Sequence, residues 1–214
     1  MPDYDLAGDR MTVHEGEDGV TTYSFDDKGT GRVCGTCTLC CKLLPLPPLR
    51  KAAGDKCRHQ KAGKGCTIYQ TRPMACRTWA CRWLADPDTA GMPRPDRCHY
   101  VIDSVWDYIT MTPHEGGESH KIGVQQVWVD PAFRSAHKAP ELRAFIEKVA
   151  ERWGRATIIR WGSRDAVTVF APCLSSDREW HEQGGSVEAR NDYEADILSM
   201  KPRVFLTDGT EKTA

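Results

Sequence analysis

Apolar and polar positions alternate most regularly in the second half of the chain. Between Pro140 and Trp153, the residues Leu142, Phe145, Ile146, Val149, Ala150 and Trp153 recur at i, i+3, i+4, i+7, i+8 and i+11, one face of an α-helix. Pro140 and Glu141 suit its start and Gly154 its end. Fully burying four such large side chains is worth roughly 6–12 kcal/mol before ordering costs, enough to dock the helix on a small sheet. "IGVQQVWV", ending at Asp130-Pro131, predicts a strand. "ATIIRW" and "AVTVFA", joined through Gly162 to Asp165, predict a hairpin. "HYVIDSVWDYITM" is rich in β-branched and aromatic residues. Its Val101, Ile102, Val105, Trp106 and Ile109 also fit helical spacing, so its type stays open.

Upstream the regular pattern gives way to loops and short turns with one helix. "PLPPL", Pro45 to Leu49, predicts an extended, polyproline-like connector that stops any helix begun at Cys40. "KAGKGC" predicts a glycine turn into Cys66, and "RPMACRTWACRWLADP" a helix opening at Pro73 and stopping before Pro87. The pattern divides the chain into an acidic, partly disordered arm (1–33) with a strand near Thr21–Phe25, a cysteine-cluster module (34–98), an α+β unit (99–200) and a frayed polar tail (201–214). The expected fold class is α+β: a small loop-rich metal module joined to a unit with a short antiparallel sheet and one amphipathic helix.

Charge and cysteine content mark the same boundaries. The formal net charge is −1, but residues 34–84 carry ten lysines and arginines against Asp55 alone, a local +9 flanked by segments of −5 on either side. Nine of the ten cysteines lie between Cys34 and Cys98. No apolar run approaches the ~18–20 residues of a membrane span, and "MPDYDLAGDR" lacks the pattern of a secretory signal. These features point to a reducing cytoplasm, where clustered cysteines favour metal or redox chemistry over a disulfide framework. The acidic flanks argue against a nucleic-acid surface, despite Tyr69, Trp79 and Trp83 among the basic residues.

"CGTCTLCC" places Cys34, Cys37, Cys40 and Cys41 in eight residues, with Cys57, Cys66 and Cys76 following and Cys81 and Cys98 as extras. A C-x2-C step lets two sulfurs turn toward one ion, and here two such steps overlap. Four thiolates suit tetrahedral Zn²⁺ or the corners of a [4Fe–4S] cluster. The spacing matches neither a ferredoxin run, because Cys41 follows at once, nor a paired-knuckle zinc ribbon. Adjacent Cys40 and Cys41 point to opposite sides of an extended chain and diverge by about 100° in a helix. Either one ligates and the other packs, or the two serve different metals or different corners of one cluster. His59 and His99 sit beside cysteines as lesser donors, and Cys173 is expected to be a packed thiol after a strand.

"CGTCTLCC", then Cys57, then "GCTIYQTRPMACR" resembles a zinc- or iron-chelating cysteine-cluster family, whose signature is C-x2-C-x2-C-C followed by G-x-C-x-I-Y-x-x-R-P-x-x-C-R. The resemblance covers about residues 34–82. It implies a ligand set among Cys34, Cys37, Cys40, Cys41, Cys57, Cys66 and Cys76, with Ile68, Tyr69, Arg72, Pro73 and Arg77 as the accompanying positions. Relatives of that family include flagellin lysine N-methylases with a cluster that looks like an iron–sulfur site. Cys81, Cys98 and the α+β portion fall outside the signature, so the methylase activity is not carried over. If Pro73 opens a helix, Cys76 lies in its first turn, where the dipole favours thiolate. Tyr69 and Ile68 would pack behind the site, and Arg72 and Arg77 would hydrogen-bond sulfurs or carbonyls around it.

The expectation is a metal-binding protein whose thiolates chelate an iron–sulfur cluster or zinc, with a redox role open. The surplus of thiols and the adjacent pair tilt it toward the cluster. The alternative is a structural zinc module supporting an α+β unit that binds a protein or small anionic partner. No phosphate loop, Ser–His–Asp set or HExxH is present in the sequence, which leaves catalysis open.

Overall fold

The computed structural model describes residues 11–15, 21–25, 30–77, 79–111, 118–162, 164–184, 204–205 and 211–212. The elements run in chain order as follows. Strands β1 (Met11–Glu15) and β2 (Thr21–Phe25) form an antiparallel hairpin. The cysteine-rich segment contributes α1 (Leu39–Leu43), the two-residue strands β3 (Gln60–Lys61) and β4 (Gly65–Cys66), and the one-turn helices α2 (Met74–Arg77), α3 (Arg82–Ala85) and α4 (Pro95–Cys98). The second half contains β5 (Tyr100–Met111), β6 (His120–Val129), α5 (Pro140–Trp153), β7 (Ala156–Arg160), β8 (Ala166–Phe170) and β9 (His181–Gly184). Val204–Phe205 (β10) and Glu211–Lys212 (β11) pair as a short antiparallel ladder. Residues 1–10, 16–20 and 26–29 of the expected arm, and 201–203, 206–210 and 213–214 of the tail, lie outside the described residues, as do residues 185–200 of the α+β unit. No helix of the described residues is long and apolar enough to cross a membrane.

The fold is mixed α+β, built on one five-stranded sheet of order β5-β6-β7-β8-β9. The expected all-antiparallel sheet is corrected at one place, because β6 and β7 run parallel. The crossover through α5 dictates this: the helix returns the chain to the end of the sheet where β6 began. The open segment at Tyr100–Met111 is a strand, interrupted by a register shift between Ile102 and Trp106. Its aromatic and β-branched content, together with pairing along β6, decides against the helix. α5 spans the expected residues, and Gly154 closes it at φ +61, a left-handed conformation that glycine adopts without strain.

The sheet is covered on both faces, which explains why β7 is buried along its entire length. On one face, Tyr100, Ile102, Val127, Val129, Ile159 and Val169 pack against Leu142, Phe145, Ile146 and Val149 of α5. Their sequence neighbours Val101 and Trp128, paired directly across β5 and β6, point the other way. There they form a second core with Cys37, Leu39 and Leu43, so the cysteine-rich segment docks on the face opposite α5. Lys42 Nζ of α1 reaches Asp130 Oδ2 at the end of β6, 2.5 Å away.

Two local expectations in the cysteine-rich segment are also corrected. "PLPPL" is not extended throughout: Pro47–Leu49 form a 3-10 turn closed by Arg50 at φ +50. It still ends α1 as anticipated. The single helix from Pro73 is broken into α2 and α3, with Cys81 extended at φ −68, ψ 154. A continuous helix would put Trp79 and Trp83 on one face. The break sends the Trp79 indole N–H to Asp103 (2.8 Å) and the Trp83 indole N–H to the Met92 carbonyl (3.0 Å).

Two outcomes follow for stability. Ile159→Ala, at a fully buried position in the central strand, is expected to cost about 2–5 kcal/mol in urea unfolding. Burial raises the Asp130 carboxyl, but the Lys42 ammonium and the Ala132 N–H outweigh it and hold the pKa below its ordinary value. Because the folded pKa is depressed, this stabilisation is complete above the unfolded carboxyl pKa of about 3.9 and is lost as pH falls through the folded value. Lys42→Met is therefore expected to be less stable than the parent chain at neutral pH, with the difference shrinking below about pH 4.

Candidate metal centre

The cysteine positions are set by backbone packing among very short elements. Cys34 and Cys37 flank a tight turn in which the Cys37 N–H donates to the Cys34 carbonyl (3.0 Å) and Gly35 sits at φ +51. The Cys34 thiol donates back to the Cys37 carbonyl at 3.6 Å. The chain then enters α1, which carries the adjacent Cys40 and Cys41. The Cys41 carbonyl accepts from the Cys57 N–H at 2.9 Å, fixing the next cysteine beside it. Cys66 pairs across β3–β4 with Gln60, whose side-chain amide donates to Thr38 Oγ1 (2.9 Å), one residue before α1. Gly65 presses on the first turn: a Cβ there would lie 2.3 Å from the Gly35 carbonyl oxygen, and its φ is +80. That close backbone approach seats Cys66 next to Cys34.

A cavity of about 20 Å³ opens beneath α1, lined by Cys34, Cys37, Cys40 and Cys81 together with Trp83, Leu84, Pro95 and Val101. Its walls are almost wholly carbon and sulfur. Cys81 reaches this site from the extended backbone just before α3. Cys76 stands with Cys41, Cys57 and Cys66 instead, and its thiol is pushed up to about 11, first by burial and then by the nearness of those three sulfurs. The dipole effect expected for Cys76 is absent, because α2 spans a single four-residue turn. Cys34 also rises to about 11 and Cys81 to about 12, burial leading in both and neighbouring cysteines contributing. Within the adjacent pair the Cys40 thiol donates to Cys41, which raises Cys40 and lowers Cys41, and Lys51 draws Cys41 further down.

Crowded thiols that raise one another's pKa are costly to ionise together without a cation, and a divalent ion among them reverses that cost. All ten thiols are free. Among the described residues, no three His, Cys, Asp or Glu side chains already stand in a metal-ligating arrangement. The donors suit a soft ion in kind and number, while the sulfurs must still draw inward to ligate one.

The basic residues serve the backbone of the site. Arg72 Nε donates to the Cys76 carbonyl (2.9 Å) and Arg77 Nε to the Arg72 carbonyl (2.9 Å), which knits the loop before and through α2. Tyr69 does not pack behind the site as expected. It is exposed, with the Arg72 guanidinium 3.9 Å from its ring centre. Lys51 was not singled out from the sequence as a site residue. It is buried, and its ammonium donates to the carbonyls of Lys42, Leu44 and Ala52 beside Cys41 and Cys57.

Asp103 and Trp128 were not anticipated either: Asp103 accepts from the indoles of Trp79 (2.8 Å) and Trp128 (3.4 Å), tying the loop before Cys81 to the sheet. A tryptophan placed between Cys76 and Cys81 was the available signal. Cys98 stands apart, its sulfur near the carbonyls of Pro93, Pro95 and Tyr100. Cys173 is exposed rather than packed, because it sits in a surface 3-10 turn. His59 lends its carbonyl to Thr67, and the His99 ring stacks on Phe133 at 3.5 Å.

Comparison with known proteins returns no match of a family model, of a curated protein or of a solved structure. The cysteine motif's family resemblance therefore contributes an expectation, and the site rests on its own geometry.

The Gly65–Gly35 contact is directly testable. Gly65→Ala is expected to destabilise by more than Gly63→Ala and to speed thiol labelling at Cys34 and Cys66. Gly63 shares a positive φ but has open space around it. Its alanine variant should therefore lose only the backbone term of about 1–2 kcal/mol.

Proposed function

We propose that this chain is a thiolate metal-binding protein of the reducing cytoplasm, in which a soft metal ties the short elements of the cysteine-rich segment together. The observation that carries the reading is the small carbon-and-sulfur cavity lined by Cys34, Cys37, Cys40 and Cys81. Four sulfurs around one small cavity suit a single tetrahedral ion. Zn²⁺ is the preferred occupant, and the sulfurs of the surrounding loops would hold it. When bound, such an ion supplies no redox chemistry and holds structure. The role favoured is thus structural, with the docked sheet and α5 as the unit that the metal-bound segment supports.

An iron–sulfur cluster remains the second reading, favoured by Cys34 standing near Cys41 and Cys66, and by Cys40 against Cys41, across the two groups. The local charge of +9 supports either, because four thiolates around Zn²⁺ or [4Fe–4S]²⁺ leave about −2 to be neutralised.

Protein purified without oxygen should carry metal in at least stoichiometric amount. Colourless protein with zinc supports the first reading; brown protein with iron and acid-labile sulfide supports the second. Protein that takes up neither zinc nor iron with sulfide on reconstitution contradicts both.

A further inference from the structure

We propose that the cysteine-rich segment holds two separate tetrahedral thiolate sites, divided at the adjacent pair, with Cys40 in one and Cys41 in the other. The inner site takes Cys34, Cys37, Cys40 and Cys81 around the cavity under α1. The outer site takes Cys41, Cys57, Cys66 and Cys76. Each binds one thiophilic divalent ion of the Zn²⁺ type. This rests on the metal-binding reading above and specifies its ligands.

Four features support the division. α1 is helical through the pair, so the two Cα–Cβ directions leave the helix about 100° apart. Cys40 lines the cavity and Cys41 does not. The Cys41 carbonyl is hydrogen-bonded to the Cys57 N–H, and Gln60 holds the β3–β4 hairpin to Thr38, which brings Cys66 to the same flank. The buried Lys51 ammonium, anchored by carbonyls, stands beside Cys41 and Cys57, where it offsets the charge of an all-sulfur site.

The division accounts for eight of the nine clustered cysteines and leaves Cys98, whose sulfur faces carbonyls of its own turn. It also removes the need for a polynuclear cluster to explain the surplus of thiols. Cys81, outside the sequence signature, becomes the fourth inner ligand because the break between α2 and α3 leaves it extended. Loading draws the sulfurs inward and releases their protons, up to four per ion, leaving about −2 at each site.

The test measures zinc per chain in the full-length protein and in Cys81→Ser, Cys57→Ser and the double variant, after reconstitution with Zn²⁺ and removal of loose metal. Two ions in the parent chain, one in each single variant and none in the double variant are expected. The ion retained in each single variant shows that the segment still folds. Lys51→Met keeps every thiol and provides a second measurement. It should weaken one of two zinc-binding phases in chelator competition by about 10-fold or more and leave the other unchanged. One ion per chain, lost in both single variants, would overturn the division while leaving metal binding intact, as would iron and sulfide held by both groups together. Failure to take up any metal would instead overturn the metal-binding reading itself.

Discussion

The cysteine-rich segment depends on a borrowed surface. Its helices are four or five residues long and its strands two, too short to hold themselves. Its apolar residues Cys37, Leu39 and Leu43 acquire a core only by packing on Val101 and Trp128, which β5 and β6 turn away from α5. That contact exists because the sheet is apolar on both faces, and the Trp79–Asp103–Trp128 hydrogen bonds lock it at one end while Lys42–Asp130 holds it at the other. Docking orients α1, and α1 orients the adjacent cysteines.

Docking fixes one side of the segment only. On the other side, the loops carrying Cys57, Cys66 and Cys76 are held by a few backbone hydrogen bonds, the Gly65–Gly35 contact and arginines bonded to carbonyls. Little apolar area is buried there. In small domains a metal bound by several loops replaces the missing core, because binding free energy becomes folding free energy. Burial first, and neighbouring sulfurs second, push the Cys34 and Cys76 thiols up on this side.

The α+β half was legible wherever one physical signal dominated. The stripe from Leu142 to Trp153 defined α5 and its glycine end, because helical periodicity and capping agree. Two strands could be seen in "ATIIRW" and "AVTVFA", but the parallel pairing of β6 with β7 depends on where α5 returns the chain, a long-range outcome that no local pattern encodes. The same holds for the broken helix after Pro73: local propensity favours one helix, and tertiary hydrogen bonds to Asp103 and the Met92 carbonyl outweigh it. The set of clustered thiols was visible from spacing, and so was the difficulty of using Cys40 and Cys41 together. That Cys40 lines the cavity, and that Cys81 reaches it, depended on the extended residue before α3 and on the surface beneath α1.

X-ray absorption at the metal edge of the purified, metal-loaded protein tests the central claim most directly. The account predicts an all-sulfur shell of four ligands at about 2.3 Å. A shell of nitrogen and oxygen at about 2.0–2.2 Å, as histidine and carboxylate side chains would give, would contradict it.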